Sequence, residues 1–313
     1  MLLLKLFITA EAAYAAYGLI VYFAELDTIL WFDKEAYRGL LTATFVNRNS
    51  YATYAGLGTM AALALVLRYL RHMLTTDADQ RSRLRDFIET LTSSGWLLAV
   101  AVLLCFLALL LTESRMGLMA FLAGVTVLML GWSLRLPAGR TRKIGLALMT
   151  LPLVLLVLNL SLSGDQTVAR FASLFEQGDQ RFDVYPLMQE AIAERPLLGY
   201  GLGSFESAFR LVRDENISVL FRRGHSDYLE LVMEIGWPAT LVLLSAFLLM
   251  LASALKLYLS RTDFELALLF IAATVQIGVH ALVDFSMQMP AVVFAYLFLA
   301  GAAFGASRRR TPS

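Results

Sequence analysis

The sequence predicts an all-α, polytopic transmembrane protein with a long, partly helical loop outside the bilayer. Three observations carry that expectation. Of 313 residues, 58% are hydrophobic and only 16% are charged, with a mean hydropathy of +0.67, whereas a soluble domain carries about a quarter charged residues. Apolar runs of about twenty residues, the length that crosses a hydrocarbon core, recur along nearly the whole chain. Arginines and lysines gather in alternate connections between these runs, which sets an orientation.

The runs fall near 2–24, 50–70, 95–112, 116–134, 144–162, 228–255, 264–282 and 287–306, giving eight spans in a single membrane domain, 1–313. Arg68 to Arg85, Arg135 to Lys143, Lys256 with Arg261, and Arg308 to Arg310 share one side, which becomes cytoplasmic together with both termini. The opposite side receives the loop around Asn47, the turn Glu113-Ser114-Arg115, the long loop 163–225 and the turn from His280 to Pro290. The first run has the small residues after an apolar core that mark a signal peptide. Lys5 interrupts that core, however, and apolar character continues to Ala24, so the run reads as a span. Glu11 lies within it and should face protein or water.

The external loop holds two amphipathic pieces, TVARFASLFEQ and RFDVYPLMQEAIAER, the second with Phe182, Tyr185, Met188 and Ile192 at near-helical spacing. Each is too short to span; such pieces lie on a membrane surface or roof a cavity. Pro196 stops the second, and LLGYGLGS follows as a glycine-rich turn. Gly199, Gly201 and Gly203 do not make a dinucleotide site, since no strand precedes them and the third glycine comes a residue early. As a turn they let backbone approach a ligand or another helix closely. Ser204 is placed to cap the helix FESAFRLVRD.

Net charge is 26 minus 25, or +1, which gives no argument for a nucleic-acid partner. A lone cysteine, Cys105, rules out an internal disulfide, a thiolate zinc site and a CxxC pair. With only His72, His225 and His280, a histidine-rich metal centre is not expected, and no metal or cofactor is assigned. Asp77-Ala-Asp79 has the DxD form of metal-dependent sugar transferases, but without an α/β domain around it the motif reads as a solvated loop.

The remaining polar groups near span ends fall on the external side. Arg115 is held in a very short turn after Ser114, where it either snorkels to head groups or meets an anion. Arg181 at a helix start opposes the macrodipole, which calls for an anion nearby, either Asp183 or an external phosphate. His225 stands at the mouth of the sixth span, with Asp227, Glu230 and Glu234 on the far side of an ideal helix. Glu234 lies about two turns deeper and needs a partner such as an arginine from another helix. His280, Asp284 and the triplet Asn47-Arg48-Asn49 read as polar caps that gain interest from lying on the same side.

The stretches FVNRNSYATY, LLLTESRMGLMAFL, RFDVYPLMQEAIAERPLLGYGLGSF, GHSDYLELVMEIG and VHALVDFSMQMP, in this order, resemble the O-antigen ligase and polymerase superfamily, the Wzy-C family of bacterial membrane glycosyltransferases. The resemblance implies a core over 95–255, a glycan donor linked to undecaprenyl diphosphate, and inverting transfer at the periplasmic face of the inner membrane. It implies that Arg115 and Arg181 bind the donor diphosphate and that His225 is the base. Ser114, Asn47, Arg48, Asn49, Asp227, Glu234, His280 and Asp284 become supporting residues. The chain departs from the family at Ser226, where asparagine is common, and has fewer spans than its relatives, with helices expected before the first.

The reading is a ligase joining the glycan to lipid A core or to a growing polysaccharide. Alternatives within the family are a polymerase and a protein O-oligosaccharyltransferase. A non-enzymatic transporter is the alternative from another class; it would favour broken helices and polar groups at mid-membrane.

Overall fold

The computed structural model describes residues 1–75, 95–139, 141–143, 145–147, 150, 154, 180–214, 217, 221–260 and 263–308. Nine α-helices are described: α1 (Leu2–Phe23), α2 (Arg48–Thr75), α3 (Trp96–Leu111), α4 (Arg115–Arg135), α5 (Gln180–Glu194), α6 (Phe205–Val212), α7 (Asp227–Ser260), α8 (Glu265–His280) and α9 (Pro290–Arg308). Among the described residues the only strands form a short hairpin between α1 and α2, where Thr28 pairs with Asp33 and Ile29 with Phe32. Most of the expected fifth span, 144–162, together with the piece TVARFASLFEQ and Asp77-Ala-Asp79, lies outside the described residues.

Four helices, α1, α2, α4 and α7, are long and apolar enough to cross a membrane. Three more, Trp96–Leu111, Glu265–His280 and Pro290–Gly305, are apolar but shorter. Helix α2 is the centre of the bundle, packing against α1, α3, α4, α8 and α9. Small residues make the contacts close: a methyl group on Gly117 of α4 would meet Ala52 of α2 at 2.7 Å, and one on Gly124 of α4 would meet Met60 of α2 at 3.1 Å and the Ala272 carbonyl of α8 at 2.8 Å. In lipid, where apolar side chains gain little by leaving the solvent, such close backbone approach supplies much of the association. Glu11 follows the expectation for a carboxyl in a span: it is buried against Gly58 of α2.

Helix α7 is two helices in line. Gly236 sits at φ 72° and ψ 170°, and Pro238 follows. The break frees two carbonyls: the Trp237 N–H turns to Pro196 at 2.8 Å instead of Met233, and Pro238 has no N–H to give Glu234. The glycine-rich turn supplies the replacements. Tyr200 N–H donates to the Met233 carbonyl at 3.0 Å, and Gly201 N–H donates to that of Glu234 at 2.7 Å. Gly199 and Gly236 have positive φ, and a methyl group on either would lie 2.3–2.5 Å from backbone of the other segment. Of the two roles open to the glycine turn, contact with a helix is the one observed.

Above this joint, α5, α6 and the start of α7 share a small core of Val184, Met188, Ala191, Ile192, Phe205, Phe209 and Met233, separate from the core of the bundle. Helix α5 ends at Glu194, two residues before Pro196.

Candidate functional site

Helix ends bring the site together. The C-termini of α3 and α8 and the N-termini of α2, α4, α7 and α9 meet at one end of the bundle, joined by the contacts below. Asn47 Oδ1 accepts the Asn49 N–H at 2.7 Å, satisfying a donor that the first turn of α2 leaves open. Asn49 then bridges outward. Its carbonyl oxygen accepts Ser114 Oγ at 2.9 Å and its amide nitrogen reaches Asp284 Oδ1 at 3.5 Å. Ser114 also accepts the Gly117 N–H, so one hydroxyl caps α4 and ties it to α2. Arg115, the next residue, is exposed and has no hydrogen bond or ion pair among the described residues.

Asp284 is completely buried. Ser286 donates to its Oδ2 at 2.8 Å, while Ser286 Oγ also lies 3.0 Å from Thr53 and 3.2 Å from His280 Nδ1. His280 Nδ1 lies 2.5 Å from Thr53 Oγ1. The imidazole of His225 approaches from the other side, its Nδ1 3.9 Å from Asp284 Oδ1. Burial alone would raise the Asp284 carboxyl, but the imidazole of His225 beside it, the proximity of His280 and the Ser286 hydroxyl that donates to it hold it below its ordinary value of 3.8. It is therefore an anion at neutral pH.

His225 itself is not on a helix. It stands two residues before α7 at φ 52°, a left-handed conformation that costs a non-glycine residue roughly 1–2 kcal/mol. Its surroundings enforce the strain. Tyr185 of α5 donates to its carbonyl at 2.7 Å, and the rings of Phe221 and Phe285 meet the imidazole edge-on at centroid distances of 5.9 and 5.1 Å. The ring is 17% exposed, and Nδ1 is buried without a hydrogen bond. Asp227 fixes the neighbouring chain: its N–H reaches the Ala281 and Asp284 carbonyls, and its carboxylate accepts Met287 N–H and Gln288 Nε2, each at 3.1 Å. Glu230 accepts Gly224 N–H at 2.6 Å, closing the loop that carries His225.

Two expectations are corrected. Glu234 does not pair with an arginine; its Oε1 accepts the Phe205 N–H at 3.0 Å, so the carboxylate sits at the start of α6, where the helix dipole favours an anion. Ser204, expected to cap that helix, makes no side-chain capping bond because Glu234 occupies the role.

The structure thus joins Asn49, Ser114, His280 and Asp284, sets His225 beside them, and places Asn47 and Asp227 at the margins. Arg48 lies apart, its guanidinium over the Tyr37 ring at 5.7 Å. Arg181 is the second residue of α5, but its side chain lies outside the described residues. Sequence reasoning missed Thr53, Gln276 and Ser286. Their signal was present: Asn49 and Thr53, and Gln276 and His280, are polar pairs four apart in apolar helices. That spacing puts each pair on one face, and Gln276 donates to the Thr53 carbonyl at 3.0 Å.

Residues 100–244 match the family model described as O-Antigen ligase. No curated protein matches the chain. The matched segment runs from within α3 into α7 and so contains Ser114, Arg115 and His225. With its apolar helices the chain is an integral membrane protein, and over residues 100–244 it is similar to the O-antigen ligases, membrane glycosyltransferases of the ligase and polymerase type.

Proposed function

We propose that the protein moves a glycan from undecaprenyl diphosphate to an acceptor hydroxyl, on lipid A core or on a growing polysaccharide, at the periplasmic face of the inner membrane. One observation carries the reading: a histidine beside a buried carboxylate, at the same end of the bundle as the tethered Ser114-Arg115 turn. His225 takes the acceptor proton as the acceptor oxygen attacks the anomeric carbon. The bond from that carbon to the diphosphate oxygen breaks, and undecaprenyl diphosphate leaves with inversion. Asp284 faces Nδ1, which leaves the other ring nitrogen for the acceptor and places an anion beside the imidazolium that forms. Arg115 and Arg181 neutralise the departing diphosphate, a role that guanidinium fills with two parallel hydrogen bonds.

A transporter reading draws on the break in α7, since broken helices often line substrate paths. Here the freed carbonyls are filled by the glycine turn of the same chain, which favours a structural joint over a pathway.

The test is transfer by purified protein given lipid-linked donor and acceptor. His225→Ala should lower the rate by about two to four orders of magnitude, and Arg115→Lys should lose most activity, while both proteins stay folded. Full activity in His225→Ala would return the histidine to a structural role.

A further inference from the structure

The turn that repairs α7 carries an apolar surface of its own. Leu198 is 85% exposed and Leu202 78%, with Leu197 also exposed beside them. These side chains cannot refold into the small core above, because hydrogen bonds at residues 196, 200 and 201 fix the turn to the α7 break. On α7 the exposed apolar surface continues immediately below, through Trp237, Leu241, Val242, Leu248 and Leu249. That helix is long and apolar enough to span, and this face of it is left uncovered by the rest of the protein. Around the turn stand groups suited to a membrane boundary: Trp237 at the break, and Arg195 stacked 4.7 Å over the Tyr200 ring, whose hydroxyl bonds Glu194.

We infer that the turn 196–203 is a wedge inserted in the outer leaflet, with Leu197, Leu198 and Leu202 among the acyl chains and Arg195 and Tyr200 at the head groups. The occupant is bilayer lipid, because the exposed surface is continuous with the lipid-facing side of α7 and the anchors lie at its upper edge. The wedge ties the small core that holds Tyr185, and through it His225, to the membrane surface. The inference rests on α7 as a span and deepens the proposed site by fixing its height at the bilayer.

The test uses the full chain with Cys105→Ala, reconstituted in vesicles of phosphatidylethanolamine and phosphatidylglycerol. Single cysteines at Leu198→Cys and Leu202→Cys, at Ser207→Cys on the exposed side of α6, and at Leu248→Cys within α7 carry an environment-sensitive fluorophore. At 198 and 202 we expect blue-shifted emission, quenching by lipids spin-labelled on the acyl chain, and loss of quenching by aqueous iodide. Position 207 should show the reverse, and position 248 should behave as 198 does. Iodide quenching at 198 and 202 with acyl quenching at 248 would overturn the wedge alone; iodide quenching at 248 as well would overturn α7 as a span and the wedge with it. Protection from both quenchers, with excimers between pyrene-labelled copies, would assign the surface to a second copy and overturn the lipid assignment. Glycan transfer is not part of the readout, so a failed transferase reading leaves the result unaffected.

Discussion

A carboxylate with no solvent exposure must find its donors inside the protein, and Asp284 finds them on two segments, Asn49 of α2 and Ser286 after α8, with the imidazole of His225 3.9 Å away on a third. Its depressed pKa makes a stability claim with a definite sign. The ionised carboxylate contributes above the ordinary value of 3.8, and that contribution is lost as pH falls through the lower value of the folded state. Asp284→Asn should therefore melt earlier than wild type at pH 7 in detergent, by about 1–3 kcal/mol for a buried charged partner removed. The difference should persist down to the ordinary carboxylate range and close only below it. A gap that closes between pH 7 and 5 would mean that another group titrates, and would remove the carboxylate from its place at the hub. Asp284 was visible in the sequence as a polar cap four beyond His280 and, through the resemblance, as a supporting residue. What could not be read there is that the turn after α8 folds the carboxylate back toward His225.

The break in α7 shows how one element is completed by another. Gly236 and Pro238 together cost the helix two carbonyl partners, and the turn 196–201 restores them with backbone rather than side chains. Sequence reading found the glycine turn and the end of α5 from local rules, because Pro196 and the spacing of apolar residues are local signals. It read α7 as one unbroken span, since an apolar run stays apolar across a left-handed glycine. The roles of Glu234 and Ser204 were missed for the same reason: whether a helix start is capped by its own serine or by a carboxylate from another helix depends on packing. Gly236→Ala should thus be far more damaging than its size suggests. The left-handed conformation costs about 1–2 kcal/mol, and a methyl group 2.3 Å from the Leu197 carbonyl, which is backbone and cannot rotate away, adds about 1–3 kcal/mol. Gly301→Ala in α9, where an added methyl group meets nothing within 4 Å, is the control. Thermal unfolding in detergent should show a clear loss for the first and little change for the second. Equal midpoints would mean that the joint is not rigid.

Across the whole molecule, charge sorts to the two ends of the bundle in different ways. At one end Arg68 and Arg71 pair with Asp263 and Glu265, Arg68 to Asp263 at 3.3 Å, and Arg135 donates to the Leu259 carbonyl at 3.2 Å. These are the arginines that set the orientation from sequence, and their anionic partners do not weaken the argument, because lysine and arginine near span ends decide topology while acidic residues contribute little. At the other end lie Asn49, Ser114, His225 and Asp284, held by neutral and single-anion hydrogen bonds. That separation was legible in the sequence because side follows from counting spans, whereas the pairing of particular polar groups within an end does not. Alkaline phosphatase, active only when exported, tests the assignment. Fused after Gly139, beside the arginine end, it should be inactive; fused after Gly178, within the stretch 163–225 expected outside, it should be active. The reverse pattern would put His225 in the cytoplasm and remove the site from the face where the proposed donor is used, while equal activity from both would mean that 140–178 does not cross the membrane and that eight spans is the wrong number.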